Sequence, residues 1–154
     1  MSAVVSLPQP SIRPMREADM SIALANEKAA YEFPWTLGIF RDCLRVGYQC
    51  HALELGGSVI GHGIMSIAAQ ECHLLNICVH PDYQRRGYGR ALVLHLLDIA
   101  RRKRAVMALL EVRVSNDAAY RLYTSLGFDE VGMRKNYYPA KRGREDAIIL
   151  AFDL

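Results

Sequence analysis

The segment between residues 71 and 114 constrains the fold more than any other part of the sequence, because its hydrophobic period changes twice. Glu71 to Val79 reads as a β-strand that His80-Pro81-Asp82 brings to an end. Residues 88 to 104 carry the helical period, and Met107 to Val114 is again a strand. Two strands joined by a long helix form a parallel crossover, which is expected to be right-handed. The segment therefore predicts a sheet with a parallel pair.

The remaining segments add strands and helices on either side of this unit. Before it, the sequence predicts an edge strand over Ser11 to Met15 that contains Pro14, and helices over residues 17 to 30 and 37 to 45, the second capped by Thr36. Two strands follow, over Tyr48 to Leu55 and Ser58 to Ala68, joined by a turn at Gly56-Gly57. After it come a helix over Asn116 to Leu126 stopped by Gly127, and strands over Phe128 to Tyr137 and Glu145 to Phe152. This order predicts an α/β fold, an α+β mixed sheet with helices on its faces. We expect a loose leader over residues 1 to 11 and a single domain over residues 12 to 154.

Length and charge narrow the class of protein. The chain has 154 residues, of which 51% are hydrophobic and 23% charged, so disordered and collagen-like chains are excluded. The net charge of +3 is too small to indicate a nucleic-acid partner. Positive charge is nevertheless concentrated, at 7 − 2 = +5 over residues 82 to 104 and 5 − 2 = +3 over residues 134 to 146. Two local basic stretches indicate an anionic ligand.

The spacing of cysteines and histidines gives no metal or disulfide pattern. The four cysteines contain no CxxC pair, so we expect reduced thiols in a cytoplasmic protein. The five histidines form no HExxH motif and no zinc-like pair with cysteine, and no metal is expected. The N-terminus lacks the regions of a signal peptide, and the longest uncharged apolar runs have six residues, so no membrane partner is expected. Nothing in the sequence demands a dimer, and we expect a monomer.

The strongest chemical signal is Gln84-Arg85-Arg86-Gly87-Tyr88-Gly89-Arg90, which lies between a predicted strand and the long helix. Two glycines allow close approach of the backbone, and the free N–H groups and dipole of the first helical turn attract negative charge. This combination is typical of a pyrophosphate site, and a solvated basic turn is the alternative reading. The third glycine of the dinucleotide-binding fingerprint is missing, and so is a Walker A sequence.

Val79 to Leu92 resembles the acetyl-CoA-binding motif of the GCN5-related N-acetyltransferase (GNAT) superfamily, with its Q/R-x-x-G-x-G/A core. Four further stretches resemble the RimI-type ribosomal-protein-alanine N-acetyltransferases: Leu110-Glu111-Val112-Arg113, Ser125-Leu126-Gly127-Phe128, Arg134-Lys135-Asn136-Tyr137-Tyr138-Pro139 and Gly143-Arg144-Glu145-Asp146-Ala147. The resemblance covers about residues 12 to 152. It implies the GNAT acyl-CoA N-acyltransferase fold. It also implies direct transfer of acetyl from acetyl-CoA, within a ternary complex, to the N-terminal alanine of a small-subunit ribosomal protein.

The resemblance also implies a role for individual residues. It places a general base at Glu111 and a general acid at Tyr123. On the substrate side it indicates Trp35, and we expect Tyr137 and Tyr138, in the connection between the last two strands, to wall a peptide slot. The residues that match the cofactor contacts are Ile77, Cys78 and Val79 on a splayed strand, Gln84, Arg85, Arg86, Gly87, Tyr88 and Gly89 at the pyrophosphate, and Asn116 beside the pantetheine. Because the family uses no covalent intermediate, Cys78 is expected to be a small buried residue.

These roles agree with the chemistry of amide formation. The attacking amine must be neutral, so a carboxylate has to receive its proton, directly or through one water. At pH 7 the neutral form costs about 1 kcal/mol for an α-amino group with a pKa of ~7.8 and about 4.6 kcal/mol for a lysine at ~10.4, which makes a protein N-terminus the easier substrate. A phenol near pKa ~10 can protonate the departing thiolate. The backbone N–H of Val79 is expected to hold the oxyanion.

Other readings stay open. Strand alternation also fits a Glu111 that faces solvent, and Tyr123 also fits a packed aromatic residue. The alternative functions are an acetyltransferase for a small amine, one for a broader set of protein N-termini, and a non-catalytic acyl-CoA-binding module. A nucleic-acid-binding module is disfavoured because no aromatic residues interleave the basic stretch.

Overall fold

The computed structural model describes residues 9 to 154, and each predicted strand and helix is present among them. The strands are β1 (Ser11–Pro14), β2 (Gln49–Leu55), β3 (Ser58–Ala68), β4 (Glu71–Val79), β5 (Met107–Arg113), β6 (Asp129–Pro139) and β7 (Arg144–Asp153). The α-helices are α1 (Met20–Ala30), α2 (Leu37–Arg45), α3 (Tyr88–Arg102) and α4 (Asp117–Leu126), with 3₁₀ turns at Glu17–Asp19 and Pro81–Tyr83. The predicted order of elements is confirmed.

The strands form one mixed sheet in the order β1-β2-β3-β4-β5-β7-β6. β4 and β5 are parallel neighbours joined through α3, and the other five neighbouring pairs are antiparallel. β1, which contains Pro14, lies at the edge as predicted, because proline cannot donate to a second neighbour. The predicted mixed sheet with a parallel crossover is therefore confirmed.

Local signals set the ends of the helices. The Thr36 side chain accepts a hydrogen bond from the N–H of Ile39 at 3.3 Å and caps α2, as predicted. Asn116 caps α4 in the same way, accepting from the N–H of Ala119 at 3.2 Å. α4 ends at Gly127, whose left-handed φ of 108° is the conformation expected of a helix-ending glycine.

Helices cover both faces of the sheet and enclose two apolar cores. On one face α3 and α4 pack on β4, β5 and β7, with Leu96, Leu110 and Leu150 at the centre. On the other face α1 and α2 pack on β2 and β3 around Phe40 and Ile64. The sheet therefore separates the cores, and residues that alternate along β4 and β5 point to opposite sides of it.

The structure corrects the predicted end of the sixth strand and the extent of the leader. Tyr137 and Tyr138 lie within β6, not in the connection after it, because the hairpin pairs Tyr138 with Glu145 beyond an irregularity at Asn136, where φ is 53°. Residues 1 to 8 of the expected leader lie outside the described residues, and its last residue, Ser11, already opens β1. Within the described part of the chain, no helix combines the length and apolarity needed to span a membrane.

An ion pair anchors β1 to the start of α1. The guanidinium of Arg13 donates to both carboxylate oxygens of Asp19 at 2.8 Å and to Glu54 on β2 at 2.8 Å. Asp19, which is buried, also accepts the N–H of Arg16 at 2.7 Å. The Arg13 hydrogen bonds are the main reason that the pKa of Asp19 falls to about 2, against the opposing effect of burial.

This depressed pKa predicts an acid-sensitive contribution to stability. A carboxyl group with a pKa lower in the folded than in the unfolded state stabilises the fold above its unfolded pKa of ~3.9, and the contribution is lost as the pH falls through about 2. We expect the free energy of unfolding to lose about 1–2 kcal/mol over that window, a value reduced by solvent screening around Arg13. The Asp19→Asn variant should lack this loss in urea titrations at several pH values. An unchanged pH dependence in the variant would contradict the assignment.

Candidate active site

A cleft opens where the two parallel strands separate. β4 and β5 pair only from Glu71 and Met107 to Leu74 and Leu110, although β4 continues to Val79 and β5 to Arg113. The register of β3 and β4 shifts at the same level, between Ile64 and Met65. The cleft has a volume of about 1090 Å³ and runs from this gap to the start of α3.

The cleft brings together most of the predicted site residues. Those that line it are Trp35, Ile77, Val79, Gln84, Arg85, Gly87, Tyr88, Gly89, Glu111, Asn116, Tyr123 and Tyr138. Cys78, Arg86 and Tyr137 are not among the lining residues. The Arg86 guanidinium instead lies 5.7 Å from the ring centre of Tyr83, and Tyr137 is exposed with its ring against Tyr138.

Cys78 is buried as expected, but its side chain approaches a carboxylate on α1 and not the cleft. Its thiol lies beside Glu27, and burial together with the Glu27 charge raises the pKa of the thiol far above its usual range. The thiol therefore stays protonated and is a poor nucleophile. Any contribution of Cys78 to the cleft comes from its backbone.

The turn before α3 presents N–H groups to the cleft. The Gln84 side chain donates to the carbonyl oxygen of Val79 at 2.8 Å, which ties the turn to the end of β4. Gly87 occupies the N-cap position of α3 with a left-handed φ of 85° and offers no side chain to cap the first turn. A side chain at Gly87 would meet no protein atom within 4 Å. The helix start is thus open to an anion, with Arg85 and Arg90 beside it.

The backbone of β4 offers a further donor to the gap. Val79 lies opposite Gly61 on β3, and the next residue, His80, donates its N–H to Ile60 at 2.8 Å. Successive N–H groups of a strand point to opposite edges, so the N–H of Val79 points away from β3. It therefore faces the gap that β5 has left.

Glu111 faces the cleft and not open solvent. Leu110 and Val112 are buried in the core, so alternation turns Glu111 to the other face, where its side chain is only 10% exposed. Its Oε2 lies 2.5 Å from Nε2 of His73 on β4, and its Oε1 lies 3.5 Å from Nη2 of Arg134 on β6. The hydrogen bond from His73 is the main cause of a lowered pKa of Glu111, with burial opposing it. Glu111 is therefore ionised at neutral pH.

Tyr123 presents a protonated phenol to the same cleft from α4. Its side chain is 8% exposed and packs edge-on against Phe128, with 5.6 Å between ring centres. Burial raises the pKa of Tyr123 far above its usual value, and the neighbouring Tyr138 adds to the shift. Among the residues described, no hydrogen bond contributes to the pKa of this phenol, and Tyr123 lines the cleft. It is therefore available as a donor.

A buried carboxylate that the sequence analysis missed lies at the floor of the cleft. Glu27 on α1 is 2% exposed and, with His62, Asn76 and Cys78, forms what we call the Glu27 cluster. Its carboxylate accepts the Asn76 amide at 3.0 Å and the backbone N–H of Trp35 at 3.0 Å, and lies 3.2 Å from Nε2 of His62. The cluster thereby fixes the loop before α2 to β3 and β4.

The Glu27 cluster also brings together three side chains of the types that bind metal ions, an arrangement that the sequence spacing did not reveal. One ligand atom each from Glu27, His62 and Cys78 lies within 4.8 Å of the others. These residues come from α1, β3 and β4, respectively, so no short motif connects them. The signal in the sequence that could have revealed the cluster is the charge of Glu27 on the face of α1 that packs into the protein, beside Ala23 and Asn26.

Arg113 joins the two walls at the other end of the cleft, a role that the sequence analysis also missed. Its guanidinium lies 5.0 Å from the ring centre of Phe33 and 4.4 Å from that of Tyr138. It also donates to Glu145 at 2.8 Å and to the carbonyl oxygen of Pro139 at 2.7 Å. Nearby, the Tyr31 hydroxyl donates to the carbonyl oxygen of Ile77. The loop before α2 and the β6–β7 hairpin are thus held together over the cleft.

An open helix start beside diverging parallel strands, with an ionised carboxylate and a protonated phenol in the gap, defines an acyltransferase site. The chain belongs to the acetyltransferase (GNAT) family, whose profile matches residues 11 to 128. The family resemblance inferred from the sequence and the GNAT fold that it implied are confirmed.

Individual members of the family are similar over nearly the whole chain. The chain is 41% identical over 144 residues to ribosomal protein bS18-alanine N-acetyltransferase of Escherichia coli strain K12, covering 94% of this chain and 97% of that protein. The enzyme of the same name from Haemophilus influenzae is 36% identical over 126 residues, covering 81% and 86%. The crystal structure of the ribosomal-protein-S18-alanine N-acetyltransferase from Escherichia coli superposes with a TM-score of 0.89, at 41% identity and 94% coverage of both chains.

Proposed function

We propose that the protein transfers acetyl from acetyl-CoA to the N-terminal alanine of a small-subunit ribosomal protein, by direct attack within a ternary complex. The observation that carries the proposal is the pairing of ionised Glu111 with protonated Tyr123 in one cleft, at the gap between β4 and β5. The relatives named for this reaction on bS18 cover almost the full chain, which supports the same acceptor here.

The residues around the start of α3 fit the charged part of acetyl-CoA. The pyrophosphate would lie on the N–H groups after Gly87, where the helix dipole and Arg85 favour negative charge. The pantetheine arm would follow the edge of β4 that β5 leaves unpaired, past the amide group of Asn116. The carboxamide oxygen of Asn116 caps α4, so its N–H₂ group is the part that remains to donate.

The two titratable side chains divide the proton transfers between them. Glu111 accepts a proton from the acceptor amine, directly or through one water, and the freed lone pair attacks the thioester carbon. The N–H of Val79 stabilises the resulting oxyanion. As the carbon–sulfur bond breaks, Tyr123 gives its proton to the sulfur. The nitrogen releases its second proton to solvent, from which the phenol is restored. Glu111 also passes its proton to solvent, so that the amide, the free thiol and one net proton are the products.

The shape and chemistry of the acceptor end favour a chain terminus over a free small amine. Trp35 and Tyr138 line this end, and Arg113 ties the loop before α2 to the β6–β7 hairpin above it. Two walls held at a fixed distance suit an extended peptide with a small first side chain.

The four cysteines, Cys43, Cys50, Cys72 and Cys78, are all buried free thiols, which supports the proposed cytoplasmic location.

The first prediction concerns the acceptor and the two catalytic side chains. Purified protein should acetylate a peptide that begins with Ala, taken from a small-subunit ribosomal protein, faster than the same peptide with a blocked N-terminus or than a polyamine. The Glu111→Gln and Tyr123→Phe variants should each lower kcat/KM by about 100- to 10,000-fold, because each removes a proton-transfer group. Mass spectrometry of the products identifies the acetylated nitrogen.

Matched control variants are available on the surface. Glu17→Gln and Tyr48→Phe change the same residue types at exposed positions away from the cleft and should leave the rate unchanged. Full activity of the Glu111→Gln/Tyr123→Phe double variant would sink the catalytic assignment, whereas acetyl-CoA binding without any transfer by the unaltered protein would favour the acyl-CoA-binding module. Preference for the polyamine would favour the small-amine enzyme.

The second prediction separates cofactor binding from stability with two glycines of nearly equal conformation. Gly87 and Gly47 have φ of 85° and 84°, and an added Cβ meets no atom within 4 Å at either one. Alanine at either position should therefore lower the free energy of unfolding by a similar ~1 kcal/mol. Only Gly87→Ala should also weaken CoA binding, by about 10-fold or more, because only Gly87 lies where the phosphates approach.

The measurement is the rise in Tm that CoA produces in each variant. A rise that is normal in Gly47→Ala and greatly reduced in Gly87→Ala is the expected result. Equal rises in the two variants would show that the turn before α3 does not hold the pyrophosphate.

A further inference from the structure

His73 contacts the candidate general base from outside the cleft. It lies on β4 opposite Leu109, is 34% exposed, and is absent from the residues that line the cleft. Its Nε2 lies 2.5 Å from Oε2 of Glu111, a distance that requires a proton between the two atoms. Since ionised Glu111 has no proton to offer, His73 is the donor.

This hydrogen bond decides which part of Glu111 faces the cleft. With Oε2 held by His73, Oε1 is the oxygen left to meet an acceptor amine, and Arg134 approaches it only to 3.5 Å from an exposed position. A carboxylate oxygen has two lone pairs, so Oε1 keeps one for the amine or an intervening water. A base whose second atom is fixed by a third group has the arrangement that activates acid–base pairs in other enzymes.

Among the residues described, His73 is the group that hydrogen-bonds to Oε2 of Glu111. The other charged and titratable groups near the pair are Arg134 and Tyr138 on β6, with exposed Glu71 two residues before His73 on β4. Arginine stays protonated, and the pKa of Tyr138 is raised to about 12, chiefly by burial. The residues opposite His73 in the sheet, Ser66 on β3 and Leu109 on β5, carry no charge.

We propose that His73 is a positioning residue for the acetyl transfer, which orients the carboxylate of Glu111 through its Nε2–H so that Oε1 faces the acceptor amine. The inference rests on the proposed role of Glu111 as the general base. Without the Nε2–H donor the carboxylate is free to rotate, and Oε1 meets the amine in the productive orientation less often.

Two substitutions test whether an N–H donor at this position is sufficient. His73→Gln retains an N–H donor near the position of Nε2, whereas His73→Leu has none. We expect His73→Leu to lower kcat by about 10- to 100-fold, with KM for acetyl-CoA changed less than about 2-fold because His73 lies outside the cleft. We expect His73→Gln to restore kcat at about pH 8.5 to within roughly 3-fold of the unaltered enzyme.

Rescue by glutamine provides the readout that a purely structural role would not produce. A loss of kcat in His73→Leu that leaves KM for acetyl-CoA nearly unchanged, and that His73→Gln reverses, isolates the N–H donor. The Tm of each variant is measured alongside, because a loss of rate caused by misfolding would be accompanied by a lower Tm. His95→Gln, at a half-buried histidine of α3 that contacts His51, is the control and should match the unaltered enzyme.

Several results would overturn the inference. These are a His73→Leu variant as active as the unaltered enzyme, a His73→Gln variant no better than His73→Leu, or a loss of rate in His73→Leu that is matched by a large rise in KM for acetyl-CoA. The assay uses the Ala peptide and, if that peptide is not a substrate, the fastest acceptor among a serine-starting peptide and a polyamine. Failure on the Ala peptide would then count against the proposed acceptor, while the variants would still test His73.

Discussion

The separation of β4 from β5 after Leu74 and Leu110 is the constraint on which the rest of the site depends. Two parallel strands that stop pairing leave a row of backbone donors and acceptors that need other partners. In this protein the carbonyl oxygen of Ile77 receives the Tyr31 hydroxyl, and the N–H of Val79 is turned into the gap. The opening is therefore polar at its edges and apolar at its walls. Such a crevice, at the carboxyl ends of parallel strands, is where ligands bind in open α/β sheets.

The same separation explains why groups from distant parts of the chain share one cleft. α3 starts just beyond the end of β4, so its N-terminus faces the crevice, while Glu111 lies on the part of β5 that has moved away. Tyr123 reaches the crevice from α4. Because each residue is carried by a regular element packed on the sheet, its position is set by core contacts and does not depend on a flexible loop.

Buried charge makes the geometry of the floor specific. A carboxylate as enclosed as Glu27 is strongly destabilising unless hydrogen bonds replace its lost hydration. The Asn76 amide, the Trp35 N–H and His62 supply them from a loop and two strands. Any shift of the loop before α2 would leave the carboxylate short of donors. The Glu27 cluster thereby keeps the loop before α2, which lines the acceptor end of the cleft, at a fixed position relative to β3 and β4.

The sequence by itself determined the order of elements, the parallel crossover, the caps at Thr36 and Gly127, and the open turn at Gly87, because periodicity, capping and left-handed glycines act over a few residues. It also indicated Glu111 and Tyr123, but only through family resemblance. Tertiary structure alone decided that Cys78 turns toward Glu27, that Arg113 lies between Phe33 and Tyr138, and that His73 meets Glu111 across 38 residues of chain. These contacts depend on which strands become neighbours and on their register, and a period of two residues specifies the face of a strand without specifying the partner across it.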